Sequence, residues 1–334
     1  MKHASIPLFI PHLACKNDCI FCNQKRIAGT VVPPSDPYGF FTSALKNIHK
    51  DFTKTDLAFF GGSFTGLEEK DMIFYLDAAA RVKKENPSVT GIRLSTRPDY
   101  ISEKILNTLA MYGVSTIELG AQSMNDDVLK RSNRNHSSAD TEKAALMIKN
   151  HGFELVLQFM PGLPGDTDET ILITAEKIAR LKPDAVRIYP CVVIKDTALE
   201  DEYFAGNFTP LSTKHAVELC ANMVLLFERH NINIIRIGLH SSDLMKNQSV
   251  VAGPFHPAFG ELVFQRIFYL NALKLISLDP PKENTVLYVA PGNTSKMTGR
   301  KKENLVLLQK TFRVSFSVKE CPSLKKYDIK RGPR

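Results

Sequence analysis

The stretch GIRLSTRPDYISEKILNTLAMYGVSTIEL, residues 91–119, joins two short apolar runs through a turn and a longer amphipathic segment. Apolar residues recur at spacings of three and four over 102–111, which predicts a helix that opens on Ser102 as its capping residue. The runs at 91–95 and 115–119 predict strands. Strand, helix and strand in this order indicate a βαβ unit with parallel strands.

The same alternation runs through most of the chain. Strands are predicted at 6–13, 56–60, 91–95, 115–119, 153–159, 184–189 and 232–237, and helices at 37–50, 68–85, 102–111, 138–151, 167–181 and 212–230. The strands are short apolar runs rather than alternating patterns, as expected when both faces of a sheet are buried. The predicted fold class is α/β, a partial (β/α)6 TIM-like barrel or a full eight-fold one, with the chemistry at the carboxyl ends of the strands.

Length and composition fit a globular protein. The 334 residues are 43% apolar and 23% charged, and no apolar run approaches the length of a membrane span. Six cysteines are too few for a disulfide scaffold, and three of them lie within eight positions, which indicates metal binding in a reducing compartment. We therefore expect a cytoplasmic protein without membrane association.

Positive charge is concentrated at the C-terminal end. Residues 282–334 contain 13 Lys or Arg against 4 Asp or Glu, which leaves the rest of the chain nearly neutral. We expect a barrel core at 1–240, a helical extension that closes the barrel at 241–281 and a basic segment at 282–334. The basic segment is either a surface for a polyphosphate such as tRNA or a solvated, partly disordered tail.

The clustered cysteines are Cys15, Cys19 and Cys22, spaced as C-x3-C-x2-C in a loop after the first predicted strand. Three thiolates at this spacing can hold a [4Fe-4S] cluster and leave its fourth iron open to another ligand. The alternative is a zinc site with His12 as the fourth ligand.

With Phe21 before the last cysteine, this motif resembles that of the radical S-adenosylmethionine (SAM) superfamily. The resemblance implies that SAM chelates the open iron and that one electron cleaves its sulfonium bond. The products would be methionine and a 5'-deoxyadenosyl radical that abstracts a hydrogen atom from the substrate. An electron donor such as flavodoxin or ferredoxin is implied as a partner.

Further motifs resemble the SAM-binding parts of this family. The residues that the resemblance assigns to the cofactor are Phe21, Gly61, Gly62, Ser95, Gln122, Arg134 and Gln158. Phe21 would lie near the adenine, the glycine pair near the methionine amino group, and Ser95 and Gln158 near the ribose. Glycine lets the backbone approach a ligand closely, and arginine offers paired donors to a carboxylate. A bare strand-to-helix turn is the alternative for Gly61 and Gly62.

Three stretches narrow the resemblance to the Elongator catalytic subunit family: 11–24, 96–99 and 189–199. It covers residues 5 to about 240 and implies a tRNA substrate modified at the wobble uridine. That family continues into an acetyltransferase domain, where this chain has a basic segment of about 50 residues. The resemblance therefore favours tRNA more strongly than the use of acetyl-CoA.

Four residues are candidates for catalysis: Tyr189, Lys195, His240 and His256. Tyr189 and Lys195 follow a predicted strand and could position the substrate or transfer a proton, and the histidines could line the substrate. Packing or hydrogen bonding within the protein is the alternative for each. Two rival functions remain at this point, radical chemistry on a peptide or small metabolite and a cluster-bearing protein without turnover.

Overall fold

The sheet that organises the first part of the molecule has seven strands, all parallel to their neighbours. The computed structural model describes residues 2–10, 19–23, 33–49, 51–239, 249–281 and 283–333. The sheet strands are β1 (Lys2–Ile10), β2 (Phe52–Gly61), β3 (Val89–Thr96), β4 (Thr116–Gln122), β5 (Glu154–Phe159), β6 (Ala185–Ile188) and β8 (Asn233–Ile237). Their order is β1-β2-β3-β4-β5-β6-β8, so the sheet is open between β1 and β8 in the described part of the chain. Two short strands, β7 (Val193–Ile194) and β9 (Val250–Ala252), pair antiparallel.

Helices connect the strands as the sequence predicts. They are α1 (Pro37–Lys46), α2 (Glu69–Glu85), α3 (Glu103–Met111), α4 (Asp126–Arg131), α5 (Ser138–Asn150), α6 (Asp168–Arg180), α7 (Ala198–Phe204) and α8 (Thr213–Arg229). Ser137 and Thr167 cap α5 and α6 through capping boxes, which satisfy amide groups that the first helical turn leaves free. The six predicted helices are confirmed, whereas the short helices α4 and α7 were not predicted.

The first strand differs from its prediction. It spans Lys2–Ile10 rather than 6–13, and residues 11–13 lie outside the described part of the chain. Ile6, Leu8 and Ile10 are buried while the residues between them are exposed, so β1 alternates as an edge strand does. The expectation of continuous apolar runs is therefore wrong for this strand, whereas the seven strands of the sheet match the seven that the sequence predicts.

The chain divides into two compact units, residues 1–212 with 227–255 and residues 213–226 with 256–334. Within the second unit, α9 (Phe259–Leu278) precedes β10 (Thr285–Val289), α10 (Thr294–Thr298), α11 (Glu303–Phe312), β11 (Phe316–Glu320) and β12 (Ile329–Pro333). Strand β10 lies between β11, to which it is parallel, and β12, to which it is antiparallel. The buried core of this unit contains Phe268, Leu287, Met297 and Leu308.

The basic segment is thus a folded structure. The interpretation of residues 283–333 as a solvated, partly disordered tail is wrong, because its helices and strands share one apolar core. That residues 241–281 close the barrel stays a prediction. No helix among the described residues is long and apolar enough to cross a membrane.

Candidate functional site

Most of the predicted cofactor residues lie at one edge of the sheet, where the parallel strands end. The strands end at Gly61 in β2, Thr96 in β3, Gln122 in β4, Phe159 in β5 and Ile188 in β6. Gly61 and Gln122 are strand-terminal residues, and Ser95, Gln158 and Tyr189 are one residue away from a strand end. This edge is where the chemistry of parallel α/β sheets is normally found.

The described part of the cysteine loop, residues 19–23, packs against residues that follow three of these strands. Cys19 and Phe21 are buried in one apolar cluster with Leu163, Cys191 and Val193, and Cys22 packs against it while partly exposed. The Cys22 amide donates to the Cys19 carbonyl at 3.0 Å, which forms a tight turn. Cys15 and His12 lie outside the described residues, among which no group of three or more potential metal ligands occurs.

Backbone hydrogen bonds tie the cysteine loop to the two helices that the sequence did not predict. The Ile20 amide donates to the Ser132 carbonyl, just after α4, at 3.3 Å. The Leu199 amide, in the first turn of α7, donates to the Ile20 carbonyl at 2.8 Å. The Asn23 side chain donates to the Asp196 carbonyl at 2.9 Å. Asp196 has a left-handed φ of 57°, where glycine is favoured and aspartate is tolerated.

A buried guanidinium group, that of Arg134, contacts Cys19, and a second buried arginine, Arg97, interacts with this cysteine electrostatically. Arg134 Nη1 lies 3.4 Å from Cys19 Sγ, and Arg134 Nη2 donates to the Gly120 carbonyl at 2.7 Å. Arg97 makes a paired hydrogen bond to Asp99 at 2.9 and 2.8 Å. Burial acts to lower the pKa of Arg97, but the hydrogen bond and charge of Asp99, with the charge of Cys19, raise it overall. Both guanidinium groups therefore place positive charge at the cysteine loop.

Gln122 and Gln158 hydrogen-bond to each other. Gln122 Nε2 donates to Gln158 Oε1 at 3.2 Å, and Gln158 Nε2 donates to Gln122 Oε1 at 2.9 Å. Gln122 has a φ of 63° at the end of β4, and a Cβ atom at Gly120 would lie 2.7 Å from Gln122 Nε2. Gly120 therefore leaves room for the amide pair. The structure brings these two predicted SAM contacts together with Arg134.

The neighbouring strand β1 requires a glycine at Gly61, the last residue of β2. Gly61 has a φ of 108°, and a Cβ atom there would lie 3.2 Å from three backbone atoms of Ile10. The Gly62 amide donates to the Ile10 carbonyl at 3.0 Å. Close packing against β1 thus explains Gly61, and the contact of either glycine with SAM stays a prediction. Ser95 lies half-buried on β3, and its contact with ribose likewise stays a prediction.

A network of buried charges in the same sheet was not predicted. Glu118 on β4 pairs with Arg187 on β6 at 2.7 Å and with Arg93 on β3 at 3.0 Å. Arg187 Nη1 donates to the Tyr189 hydroxyl at 3.3 Å, and its guanidinium lies over the Phe60 ring. A charged residue in the middle of each of three apolar runs is the sequence signal that could have indicated this network.

Three of the four predicted catalytic residues lie in the described structure, each in different surroundings. Tyr189 is half-buried and belongs to the charge network, whereas Lys195 is exposed and its amide donates to the Ser249 carbonyl at 2.9 Å. His240 lies outside the described residues. His256 belongs to the second unit, where its Nδ1 accepts from the Ala258 amide and its Nε2 lies 3.5 Å from Arg300 Nη1.

Two titratable groups near the cysteine loop have altered proton affinity. Burial raises the pKa of Cys191 to about 12, helped by the charge of Asp166, so this thiol stays protonated at neutral pH. Burial also raises the pKa of Asp166 to about 6, although Thr170 and the amides of Leu163 and Gly162 donate to its carboxylate. Those two amide bonds, both 3.1 Å long, hold the 161–165 loop beside the cluster that contains Phe21.

His136 contacts the end of β4 and lies close enough to Arg134 to interact with its charge. Its Nε2 lies 3.2 Å from the Ala121 carbonyl, while its Nδ1 is buried without a partner among the described residues. Burial, together with the charge of Arg134, lowers the pKa of His136 to about 4. The imidazole is therefore neutral at physiological pH and adds no charge to the two guanidinium groups.

Comparison with known families identifies the superfamily to which the chain belongs. Residues 9–178, just over half of the chain, match the model of the Radical SAM superfamily, and residues 183–268 match the Radical_SAM C-terminal domain. The chain belongs to the radical SAM superfamily, which is a superfamily of enzymes. Its seven parallel strands form the curled, open half-barrel of that fold.

Relatives within the superfamily include proteins that act on tRNA by name. The chain is 31% identical over 206 residues to the tRNA uridine(34) acetyltransferase of Methanocaldococcus infernus, covering 55% of this chain and 39% of that protein. It is 28% identical over 201 residues to human Elongator complex protein 3, covering 54% and 37%. The chain thus spans about two fifths of the length of these relatives.

Solved structures agree on the fold. The archaeal Methanocaldococcus infernus Elp3 with an N-terminal deletion superimposes with a TM-score of 0.65 at 24% identity, covering 79% of this chain and 62% of that one. SuiB of Streptococcus suis gives a TM-score of 0.52 at 13% identity over 72% of this chain and 50% of that one. These likenesses establish the half-barrel architecture.

The residues around Cys19 fit the iron–sulfur cluster and SAM that the superfamily implies. A cluster bound by three thiolates and a methionine carboxylate are both anionic, and each gains from nearby buried cations. Arg97 Nη1 and Arg134 Nε are buried and have no hydrogen-bond partner among the described residues. Donors that would be costly to leave unpaired therefore stand beside the cysteine loop.

Proposed function

We propose that this protein is a radical SAM enzyme that binds a [4Fe-4S] cluster through Cys15, Cys19 and Cys22 and modifies tRNA. When bound, the cluster supplies the electron that cleaves SAM into methionine and a 5'-deoxyadenosyl radical. The observation that carries the proposal is the buried guanidinium group of Arg134, whose Nη1 lies 3.4 Å from the Cys19 sulfur and whose Nε has no hydrogen-bond partner among the described residues.

The chain's own residues supply charge, orientation and exclusion of water. Arg134 and Arg97 would stabilise anionic ligands at the cysteine loop, because buried charge-assisted hydrogen bonds are stronger than neutral ones. The amides of Gln122 and Gln158 could each exchange their mutual bond for one to a ribose hydroxyl. Phe21 and Leu163, in one apolar cluster, would cover the nucleoside and keep water from a reactive intermediate.

Tyr189 is the residue that we assign to the substrate. Its hydroxyl accepts a hydrogen bond from Arg187, whose guanidinium is held in turn by Glu118. A phenol fixed in this way can present its proton to a substrate oxygen or nitrogen. The roles of the other predicted site residues stay predictions, because no contact in the described structure assigns them a role. These residues are Gly61, Gly62, Ser95, Lys195, His240 and His256.

The tRNA substrate rests on the names of the relatives and on the charge of the second unit. The matched relatives are tRNA uridine(34) acetyltransferases and Elongator complex protein 3. Residues 282–334 contain 13 Lys or Arg and 4 Asp or Glu, a balance that suits a polyphosphate. Acetyl-CoA belongs to the activity of the named relatives and is not included in the proposal.

The cofactor claim is tested by anaerobic reconstitution. We expect about four iron and four sulfide per chain, and 5'-deoxyadenosine formed from SAM and dithionite. Cys19→Ala should lose both, whereas Cys321→Ala, which alters a partly exposed cysteine of the second unit, should keep both. Zinc bound in place of iron, or a full cluster in Cys19→Ala, would contradict the assignment.

The substrate claim is tested on nucleosides. Bulk tRNA from a host that produces the wild-type protein should contain a nucleoside of altered mass that is absent when the host produces Cys19→Ala. Identical nucleoside profiles, with SAM cleavage intact, would contradict a tRNA substrate and direct the search to peptides and small metabolites.

A further inference from the structure

The second unit presents three consecutive cations on one short loop. Arg300, Lys301 and Lys302 form a single 3-10 turn between α10 and α11, and all three are exposed. Arg300 lies 3.5 Å from the His256 ring, and none of the three forms an ion pair within the described part of the chain. Their charge is therefore available to a ligand. We refer to residues 299–302 as the basic loop.

The conformation of the basic loop is fixed by neighbouring helices. Asn304 is buried, and its Nδ2 lies within hydrogen-bond distance of the carbonyls of Gln265, Met297 and Lys296, at 2.9, 3.1 and 3.2 Å. The Arg300 amide donates to Gln265 Oε1 at 3.2 Å. The Arg300 bond connects the basic loop to α9, and the Asn304 bonds connect the start of α11, directly after the loop, to α9 and α10.

Two residues of the loop have an unusual backbone. Lys301 and Lys302 have φ values of 50° and 62°, in the left-handed region that side chains other than glycine seldom adopt. Such backbone conformations persist where the surroundings hold them, often at ligand sites. The basic loop thus presents its cations in a prearranged geometry.

A groove of about 1020 Å³ lies beside the basic loop, entirely within the second unit. The first turn of α9 and the loop after β10 line it, and its side chains include His256, Gln265 and Thr294. Glu261 and Glu320 also line the groove, and Glu320 accepts hydrogen bonds from the Gly292 amide and the Thr294 hydroxyl. The groove therefore combines cations at one border with acceptors and donors inside it.

We propose that the basic loop and this groove bind the sugar-phosphate backbone of the RNA substrate, with unpaired nucleotides in the groove. Three adjacent unpaired cations match a repeating anion, and the mixed donors and acceptors match base edges. The proposal rests on the proposed function, since it assumes that the substrate is tRNA. It deepens that function by assigning recognition to the second unit.

The test measures the affinity of the full-length protein for bulk tRNA at several salt concentrations. The loop variant carries Arg300→Gln, Lys301→Gln and Lys302→Gln. The matched control carries Lys310→Gln, Lys319→Gln and Lys325→Gln, which removes equal charge from exposed positions of the same unit that do not line the groove. Circular dichroism establishes that both variants are folded.

We expect the loop variant to bind tRNA at least tenfold more weakly at physiological salt. The slope of log affinity against log salt should become shallower by about 2–3, since each phosphate contact contributes about 0.7–0.9. The control should lose less than threefold. Equal losses in both variants, or a loop variant that binds like the wild type, would overturn the assignment, and so would a wild-type protein without affinity for tRNA.

The same proteins distinguish a failure of this inference from a failure of the proposed function. If the loop variant loses tRNA binding while tRNA has no effect on SAM cleavage by the wild type, the binding site stands and the proposed function fails. If tRNA stimulates SAM cleavage by the loop variant with wild-type affinity, the proposed function stands and the binding site is wrong.

Discussion

Arg134 connects more of the candidate site than any other residue described above. It reaches Cys19 with one nitrogen and the Gly120 carbonyl with another, and its third nitrogen is buried and has no partner among the residues that the structure describes. The side chain therefore fixes the end of β4 and offers charge to the cysteine loop at the same time. A guanidinium can do both because its donors lie in one rigid plane.

We predict that Arg134→Gln weakens SAM binding by about 10-fold to 100-fold, because a buried charge-assisted hydrogen bond contributes about 1.5–3 kcal/mol. Isothermal titration of the reconstituted protein measures the dissociation constant. Lys130→Gln, at an exposed position of α4, removes the same charge and should bind SAM as the wild type does. Wild-type affinity in Arg134→Gln would remove this arginine from the site.

The pKa of Asp166 predicts how stability depends on pH. Because burial raises this pKa from its ordinary value of 3.8 to about 6, the folded protein binds the proton more tightly than the unfolded chain. The stabilisation is present below pH 4 and is lost as the pH rises through 6. Asp166→Asn, which stays neutral and keeps an acceptor for both amides, should be more stable than the wild type above pH 7 by about 1–3 kcal/mol.

Urea unfolding of both proteins from pH 4 to pH 8 measures this difference. It should grow between pH 4 and 6 and then level off. Asp201→Asn, at an exposed position of α7, is the matched control. His136 contributes to the pH dependence of stability with the opposite sign, since its lowered pKa favours the folded state as the pH rises. Both proteins contain His136, so its contribution cancels in the difference between them. A constant difference across this pH range would contradict the assignment to Asp166.

At the scale of elements, α4 and α7 hold the cysteine loop, although neither was predicted. They contain only six and seven residues, too few for a helical pattern to stand out in a sequence. Their contacts with Ile20 run through backbone atoms, the Asn23 side chain reaches the Asp196 carbonyl just before α7, and all of these contacts cross more than 100 residues of chain. Local sequence patterns do not contain that information.

Asp196 provides a test of this support, because its left-handed backbone carries the carbonyl that Asn23 contacts. We predict that Asp196→Gly keeps the stability and iron content of the wild type, since glycine adopts this conformation freely. Asp196→Val should lose about 1–2 kcal/mol and bind less iron, because a β-branched residue is strained there. Iron analysis and thermal unfolding of the pair measure both effects, and equal behaviour of the two variants would contradict the account.

The charge network across β3, β4 and β6 supports the same edge of the sheet. Glu118 is 5% exposed and serves both Arg93 and Arg187. Glu118→Gln should lower the free energy of unfolding by about 2–4 kcal/mol, because the largely buried Arg187 would lose its counter-charge and Arg93 would keep only Asp56, 3.8 Å away. Adding Arg187→Met to that variant should restore part of the loss. A double variant whose loss of stability equals the sum of the two single losses would show that the network does not act as a unit.

At the scale of the whole molecule, the parallel sheet could be predicted because its buried strands occur in the sequence as short apolar runs separated by helical patterns. The start of β1 was missed, since His3 and Ser5 are polar and lie on the exposed face of an edge strand. The cysteine motif and the order of the SAM motifs could be recognised from sequence. The bond between Gln122 and Gln158 could not, because it depends on side-chain directions on neighbouring strands.

The second unit shows the same limit of prediction from sequence. Its net positive charge was evident from composition, but the three-stranded sheet and the fixed basic loop depend on packing between residues such as Asn304 and Gln265, which are 39 positions apart. Composition therefore predicted a polyphosphate partner for this region, and the binding site proposed above rests on the fold.

The central claim is that radical SAM chemistry in this protein serves tRNA, and the formation of 5'-deoxyadenosine tests it most directly. Reconstituted protein is incubated with SAM and dithionite under anaerobic conditions, with and without bulk tRNA, beside Cys19→Ala. The account predicts 5'-deoxyadenosine in the wild type alone, formed severalfold faster with tRNA. Formation at one slow rate regardless of tRNA would contradict the tRNA assignment, and no 5'-deoxyadenosine from cluster-loaded protein would contradict the chemistry itself.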